Sequence, residues 1–223
     1  MKRVLSFGAH PDDIEIGCGG AELILRARGH EIYHAVLTSG EAGSNAIKPS
    51  ELAQVRETEA VIAAEILGVH HVEFLRYSDG LTGYTRQMKI EVVRMIRQMR
   101  PDIVFVHGRE DRFPDHRIVH ELVISALEAA GGPWYLEAAG DPHRVPQVFG
   151  YEVWTPIAQP QMFFDISAVI EQKRKSLQAH RSQMENLPYD EAILGLGRYR
   201  GIMSGSGAYA EAFEVLRCGG VAC

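Results

Sequence analysis

The sequence predicts an α/β protein with a Rossmann-like, mostly parallel sheet, helices on both faces and a C-terminal extension. Short buried strands alternate with amphipathic helices over the first 130 residues. Such alternation is typical of parallel βαβ units, in which helices cover both faces of the sheet. The 223 residues contain no repeat, low-complexity tract or long linker, so we predict a single domain over residues 1–223.

The predicted strands are short apolar runs, and the predicted helices have an apolar side and end at glycine. The helix at 51–67 ends before Gly68, and the helix at 116–130 ends before Gly131. Beyond residue 132 the pattern becomes less regular. The predicted strands are 4–8, 32–38, 72–75, 103–106, near 148–153 and 162–164, and the predicted helices are 21–28, 51–67, 88–99, 116–130 and about 168–183.

Composition and charge limit the classes of partner. Hydrophobic residues make up 46% of the chain and charged residues 23%, which is typical of a globular protein. The net charge of -6 argues against a nucleic-acid partner, because such proteins concentrate Lys and Arg. No stretch approaches the ~18 apolar residues of a membrane span. Three cysteines without regular spacing fit a reducing, cytoplasmic location.

The loop after the first predicted strand, residues 8–15 (GAHPDDIE), is a candidate site because ligands bind beyond the carboxyl ends of such strands. His10 and Asp13 offer imidazole nitrogen and carboxylate oxygen, which zinc accepts as ligands. Of the adjacent Asp12 and Asp13, one can bind a metal while the other faces the reacting water. The alternative is an Asp-rich turn in which Pro11 forms the corner and an Asp caps the next helix.

The loop after the fourth predicted strand, residues 107–116, adds a further metal-type residue. His116 lies at the crevice end of a helix, where it offers a third ligand. His120 lies one turn on along the same face and is a rival ligand. We favour His116 as the ligand because it is nearer the loop. We interpret His120 as a residue that supports a ligand without binding the metal, or as a structural residue. A single histidine is commonly structural, but metal-type residues at two separate strand ends favour a bound metal. Three protein ligands would leave one coordination position open for water, which is the arrangement used in amide or ester hydrolysis.

These two loops resemble the motifs of the PIG-L (LmbE-like) N-acetylglucosaminyl deacetylases. The first family motif, A-H-P-D-D-x-E, is complete at residues 9–15, and the second, usually H-P-D-H, stands as FPDH at 113–116. Similarity continues through VRETEA around Arg56, YSDGL around Asp79 and YAEAF at 209–213. The resemblance implies a zinc-dependent deacetylase for an acetylated amino sugar, in a GlcNAc-containing glycoside or conjugate. It also implies a homo-oligomer, since similar proteins often form trimers or hexamers.

The resemblance implies specific roles for residues of the two motifs. The implied zinc ligands are His10, Asp13 and His116. Asp12 is implied as the general base that later protonates the leaving amine. We expect Glu15 to orient the first loop and Asp115 to hold a histidine in place. An ordinary capping or surface carboxylate is the alternative for both.

Two further residues are implied in substrate binding. An Arg on the helix that carries Arg56 contacts the substrate in similar proteins, so Arg56 is a candidate sugar contact. Its alternative is a surface salt bridge with Glu57 or Glu59. Asp79 is a candidate to accept sugar hydroxyls, although an Asp-Gly turn explains it equally well.

Phe113 departs from the family pattern. The family commonly has a His there, thought to stabilise the oxyanion or assist protonation, and the loss of such a donor costs roughly 10²–10³ in rate. Either zinc alone carries the oxyanion, or His107, His143 or Tyr209 replaces the missing group. The second hypothesis is therefore a metal- or sugar-binding homologue with weak or lost catalysis. A nucleotide-dependent enzyme is discounted, because no G-x-G-x-x-G follows the first strand.

Overall fold

The computed structural model describes residues 1–185 and 187–219, and within them seven strands form one sheet. The strands are β1 (Arg3–Gly8), β2 (Glu31–Thr38), β3 (His71–Tyr77), β4 (Ile103–His107), β5 (Gln147–Tyr151), β6 (Met162–Asp165) and β7 (Ala210–Cys218). Their order across the sheet is β3-β2-β1-β4-β5-β7-β6. Strands β1 to β5 pair in parallel, and β7 is antiparallel to both β5 and β6.

The mostly parallel α/β architecture predicted from the sequence is confirmed. The predicted C-terminal extension belongs to the same sheet, because β7 lies between β5 and β6. Strands β5 and β6 were predicted from the sequence, but β7 was not. The last strand within the described residues therefore fills an internal position of the sheet, which no local pattern indicates.

The helices are α1 (Asp13–Gly17), α2 (Gly19–Ala27), α3 (Pro49–Leu67), α4 (Arg86–Met99), α5 (Pro114–Ala130), α6 (Ile170–Gln178), α7 (Arg181–Met184) and α8 (Tyr189–Ser204). A short 3-10 helix spans Leu136–Ala138. Helices α1 and α8 were not predicted from the sequence. Within the described residues no helix is long and apolar enough to cross a membrane.

The prediction of a single helix near 168–183 is wrong, because the helical conformation is interrupted between α6 and α7. His180, at φ -79° and ψ 59°, leaves the helical conformation there. Just beyond it, the backbone N–H and hydroxyl of Ser182 donate to Glu59 on α3, at 2.8 and 2.7 Å. This tertiary contact stabilises the turn toward α3.

The hydrophobic core lies on both faces of the sheet, as β1 illustrates. Leu5 and Phe7 pack with apolar residues of α4 and α5 on one face. Val4 packs with residues of α1, α2 and α6 on the other. Successive side chains of a strand point to opposite faces, so a strand buried on both faces is apolar nearly throughout. The helices therefore cover both faces, as predicted.

Candidate active site

The loop after β1 is tied to the ends of both neighbouring strands. The carbonyl oxygen of Ala9 accepts hydrogen bonds from the backbone N–H and the hydroxyl of Thr38, at 3.0 and 2.9 Å. The N–H of Ala9 donates to Nε2 of His107, the last residue of β4, at 3.0 Å. The first motif is therefore fixed at the carboxyl edge of the sheet, where ligands bind in such folds.

His10, Asp13 and His116 converge at this edge, as the sequence analysis expected. One ligand atom from each residue lies within 4.8 Å of the others. His10 Nδ1 lies 3.3 Å from His116 Nε2 and 3.4 Å from Asp13 Oδ2. His116 Nε2 lies 3.3 Å from Asp13 Oδ1. Asp13 and His116 are buried, and His10 is partly buried.

The outward-facing nitrogen of each histidine meets carboxylates. His10 Nε2 lies 3.0 Å from Asp79 Oδ1 and 3.2 Å from Asp115 Oδ2. His116 Nδ1 lies 3.3 Å from Asp111 Oδ1. Because a carboxylate accepts, these partners favour the N–H on the outer nitrogens. The inner nitrogens then point lone pairs at one another and at a carboxylate, and such a set of acceptors fits a cation.

The cluster attracts positive charge. Burial lowers the pKa of His10, but hydrogen bonds to carboxylates, first to Asp115, outweigh burial and raise it well above its usual value. Burial likewise lowers the pKa of His116, but Asp13 and Asp111 outweigh it and raise the pKa to about 9. Two imidazoles and one carboxylate form a donor set that suits zinc, and a metal ion competes with protons for these nitrogens.

His107 supports the cluster from within the sheet, although the sequence analysis named it only as a replacement for the missing family His. Its ring stacks on His116 with centroids 4.1 Å apart, and its Nε2 lies 3.3 Å from Asp13 Oδ2. Burial, followed by the charge of His116, lowers the pKa of His107 to about 4. The ring is fully buried and does not line the cavity that opens over the cluster.

Asp12 stands at the N-cap position of α1, yet its side chain makes no cap hydrogen bond. Its Oδ2 accepts from the Tyr189 hydroxyl at 2.9 Å and from Arg56 Nη2 at 3.2 Å. Oδ1 has no hydrogen-bond partner within the described part of the chain. Burial raises the pKa of Asp12, Arg56 opposes this, and Asp13 adds to it. Its φ of 114° is strained for a non-glycine residue, and such strain clusters at functional sites.

Arg56 is 4% exposed, so its side chain is buried and does not form the surface salt bridge that was the alternative prediction. Besides Asp12, it donates to the carbonyl oxygens of Pro11 at 2.6 Å and Gly40 at 3.0 Å. Gly40 has φ +64°, and a Cβ there would lie 2.2 Å from Arg56 Nη1. Neither Glu57 nor Glu59 contacts the guanidinium, since both pair with other side chains. Arg56 therefore joins two loops of the site to Asp12.

A cavity of about 420 Å³ opens over the cluster, within the range of roughly 300–1,000 Å³ of small-molecule sites. One side is polar and includes Asp79, whose Oδ2 also accepts from the N–H of Ala42 at 2.9 Å. The other side is aromatic. The lining residues are His10, Asp12, Asp13, Ala42, Gly43, Arg56, Asp79, Gly80, Phe113, Asp115, Trp154, Gln183 and Tyr189.

The remaining candidate residues lie outside the cavity lining. Glu15 lies behind the loop, with Oε2 3.7 Å from His180 Nε2. His120 Nδ1 donates to the carbonyl oxygen of His107 at 2.7 Å and is not part of the metal-type group. His143 Nε2 donates to the carbonyl oxygen of Pro101, before the start of β4 and so at the opposite edge of the sheet.

Three residues near the cluster were not identified from the sequence. Asp111 lies in the candidate loop at residues 107–116, and its proximity to His116 in the sequence was the available signal. Tyr189 and Trp154 come from the C-terminal part, where no motif pointed to them. Tyr209, named as a replacement for the missing family His, instead packs under Arg198.

The fold and the site define an α/β protein with a metal-type cluster at the carboxyl edge of its sheet. Residues 5–127 match the family model of PIG-L, described as GlcNAc-PI de-N-acetylase. The chain belongs to this family. It is 34% identical over 223 residues to a diacetylchitobiose deacetylase of Thermococcus kodakarensis, a match that covers 95% of this chain and 82% of that protein.

Two solved structures show the same fold. The N,N'-diacetylchitobiose deacetylase from Pyrococcus horikoshii, solved with its inhibitor MPG, has a TM-score of 0.87 at 26% identity and covers 96% of this chain and 84% of its own. The 4-carboxy-2-hydroxymuconate hydratase GalB from Pseudomonas putida KT2440 has a TM-score of 0.85 at 24% identity and covers 100% and 99%. Because a hydratase shares the fold, the reaction must be argued from the site.

Proposed function

We propose that this protein is a zinc-dependent N-deacetylase that removes the acetyl group from a GlcNAc-containing small glycoside or sugar conjugate. The observation that carries the proposal is the convergence of His10 Nδ1, His116 Nε2 and the Asp13 carboxylate beside Asp12 and an open cavity. Family membership and the similarity to a diacetylchitobiose deacetylase support an acetylated amino sugar as substrate.

The residues present fit a metal, and His10, Asp13 and His116 would hold it. When bound, zinc lowers the pKa of water to about 7 and polarises a carbonyl oxygen. Asp12 accepts a proton from the attacking water as the water oxygen bonds to the acetamide carbon. Asp12 then returns a proton to the nitrogen as the C–N bond breaks, which releases acetate and the free amine.

The contacts of Asp12 suit this double role. Tyr189 and Arg56 both bind Oδ2, so Oδ1 remains to exchange the proton. Burial raises the pKa of the carboxyl, which makes its conjugate base stronger, and a general base works best with a pKa near the operating pH. Asp79 and Arg56 lie on the polar side of the cavity, where we propose that they orient the sugar hydroxyls.

A binding protein without turnover is the second candidate function. It is favoured by Phe113, whose ring lines the cavity where the family commonly has a histidine. We further propose that residues 1–223 form one domain. The homo-oligomeric state and the cytoplasmic location remain predictions from the sequence.

The test combines metal analysis with acetate release. Purified protein is assayed with GlcNAc, diacetylchitobiose and GlcNAc linked to inositol or malate, before and after chelation and after zinc is returned. We expect bound zinc, and acetate release that chelation removes and zinc restores. Full zinc occupancy with no acetate from any substrate would favour the binding protein, and protein without any transition metal would contradict the proposal.

A further inference from the structure

One side of the cavity is a continuous aromatic wall made by Phe113, Trp154 and Tyr189. The ring centroids of Phe113 and Trp154 are 6.1 Å apart, and those of Trp154 and Tyr189 are 5.7 Å apart at an interplanar angle of 85°. Trp154 is therefore the central ring and contacts both others. Phe113 is 40% exposed, so the wall presents apolar carbon to whatever enters the cavity.

The aromatic wall is fixed relative to the metal-type cluster by Asp111. This carboxylate accepts from the backbone N–H of Phe113 at 2.9 Å and from that of Trp154 at 3.0 Å. It also lies 3.3 Å from Nδ1 of His116. The guanidinium of Arg112 stands over both rings, 5.4 and 5.7 Å from their centroids, and adds a cation–π contact to each. A surface held in this way is preorganised for binding.

The cavity lining also includes the carboxylate of Asp79 and the guanidinium of Arg56, which are groups of the kind that form hydrogen bonds with hydroxyls. A closed pyranose ring has the matching character, with flat C–H faces and hydroxyls along its edge. Aromatic rings stabilise such apolar faces, while a few placed polar groups fix orientation. An open-chain polyol with the same carbon skeleton has no flat face to offer to the wall.

We propose that Trp154 is a specificity-determining residue that recognises the closed ring of the acetamido sugar, with Phe113 beside it. The proposal rests on the proposed function for the identity of the sugar. It assigns to the aromatic wall the discrimination between a pyranose ring and an open-chain polyol with the same carbon skeleton, which the metal-type cluster itself does not distinguish.

The binding test uses Trp154 as its own reporter. The sequence has two tryptophans, and Trp134 is 61% exposed and does not line the cavity. In zinc-loaded protein with Trp134→Phe and Asp12→Asn, Trp154 is the remaining indole and turnover is suppressed. We expect methyl N-acetylglucosaminide to change its fluorescence saturably, and the reduced open-chain N-acetylglucosaminitol to bind about tenfold more weakly or worse. Equal binding of the two would overturn the proposal.

The kinetic test separates a role in binding from a structural one. Trp154→Ala should raise KM for the methyl glycoside by about tenfold and leave kcat within about threefold, since a ring contact of this kind contributes to binding throughout the reaction. Trp154→Phe should retain most of the affinity, and Trp134→Ala is the matched control with wild-type constants.

The two proposals fail differently. If the wild type releases acetate and Trp154→Ala has the same KM as Trp134→Ala, the aromatic wall does not recognise the ring. The proposed deacetylase activity is then still supported. If no acetate is released but the fluorescence still distinguishes the closed ring from the open-chain polyol, recognition by the aromatic wall is supported and the proposed function is contradicted.

Discussion

His10 Nδ1 and His116 Nε2 face each other at 3.3 Å across the centre of the candidate site. Carboxylates face the opposite nitrogen of each ring, so both inner nitrogens are acceptors when the rings are neutral. Two acceptors at this distance need a proton or a cation between them. The Asp13 carboxylate beside them favours a cation of higher charge.

Replacing either histidine should therefore remove the metal. We expect His10→Ala and His116→Ala to lose most of their zinc during dialysis against a weak chelator, as measured by elemental analysis. The control is His120→Ala, one turn further along α5, which should keep the zinc content of the wild type because His120 binds a backbone oxygen instead. Zinc lost from the His120 variant and kept by the His116 variant would reverse the ligand assignment.

Asp111 should affect the affinity for the metal without being a metal ligand. Asp111→Asn weakens the acceptor that faces His116 Nδ1, and loss of such a partner typically costs 10–100-fold in metal affinity. We expect a loss of roughly this size in competition with a chromogenic chelator. Asp141→Asn, at an exposed position, is the control and should bind zinc like the wild type. Unchanged affinity in the Asp111 variant would show that the contact does not orient His116.

Asp12→Asn should separate catalysis from metal binding. The amide can still accept from Tyr189 but is a poor base, so we expect kcat to fall by roughly 10²–10⁴ with zinc content unchanged. Acetate release and elemental analysis on the same preparation provide the measurement. Activity close to wild type would remove Asp12 from the proposed mechanism.

The sequence predicted the fold and the metal-type cluster because both depend on local signals. Apolar periodicity marks a strand or a helix within a few residues, and the carboxyl ends of parallel strands meet at one edge. His10 and Asp13 follow the end of β1, and His116 lies in the first turn of the helix that follows β4. Their convergence therefore follows from the order of elements, without knowledge of side-chain packing.

The features that the sequence did not predict depend on contacts between distant parts of the chain. Tyr189 donates to Asp12 across 177 positions, and nothing around Tyr189 indicates that partner. The insertion of β7 beside β5 and the helix break at His180 are likewise tertiary outcomes. For Asp12, the burial that raises its pKa is also a property of the folded chain.

The buried pair of His34 and Glu22 should make stability depend on pH. His34 Nε2 lies 2.8 Å from Glu22 Oε2. Burial lowers the pKa of His34, but Glu22 outweighs burial and the pKa is raised above 6.5. The stabilisation is therefore fully present below the unfolded pKa of 6.5 and is lost as pH rises through the folded value.

We expect the free energy of unfolding of the wild type, relative to His34→Gln, to decrease as the pH rises from about 6 to about 9. Urea denaturation at the two pH values measures this difference. His71→Gln, at an exposed histidine, is the control and should show little change. A difference that grows toward high pH would contradict the sign of the shift.

Phe113 offers the test of how this chain manages without the family histidine. The residue is the N-cap of α5 in an extended conformation, and its ring lies 5.6 Å from that of His116. Histidine fits this backbone and remains aromatic. We therefore expect Phe113→His to raise kcat for the methyl glycoside by roughly tenfold, since a single oxyanion donor is worth roughly 10²–10³ when optimally placed. KM should stay within about threefold, and Phe113→Leu, which adds no donor, should show no gain.

An unchanged kcat in the Phe113→His variant would mean that another group already supplies the missing donor. The Tyr189 hydroxyl is the candidate because it lines the cavity, and to fill this role it would turn its one proton from Asp12 Oδ2 to the oxyanion. In that case Tyr189→Phe should lower kcat by roughly 10² or more while zinc content stays constant. If instead Phe113→His raises kcat and Tyr189→Phe has little effect, the wild-type site works without a side-chain oxyanion donor, and the hydroxyl serves only to hold the general base.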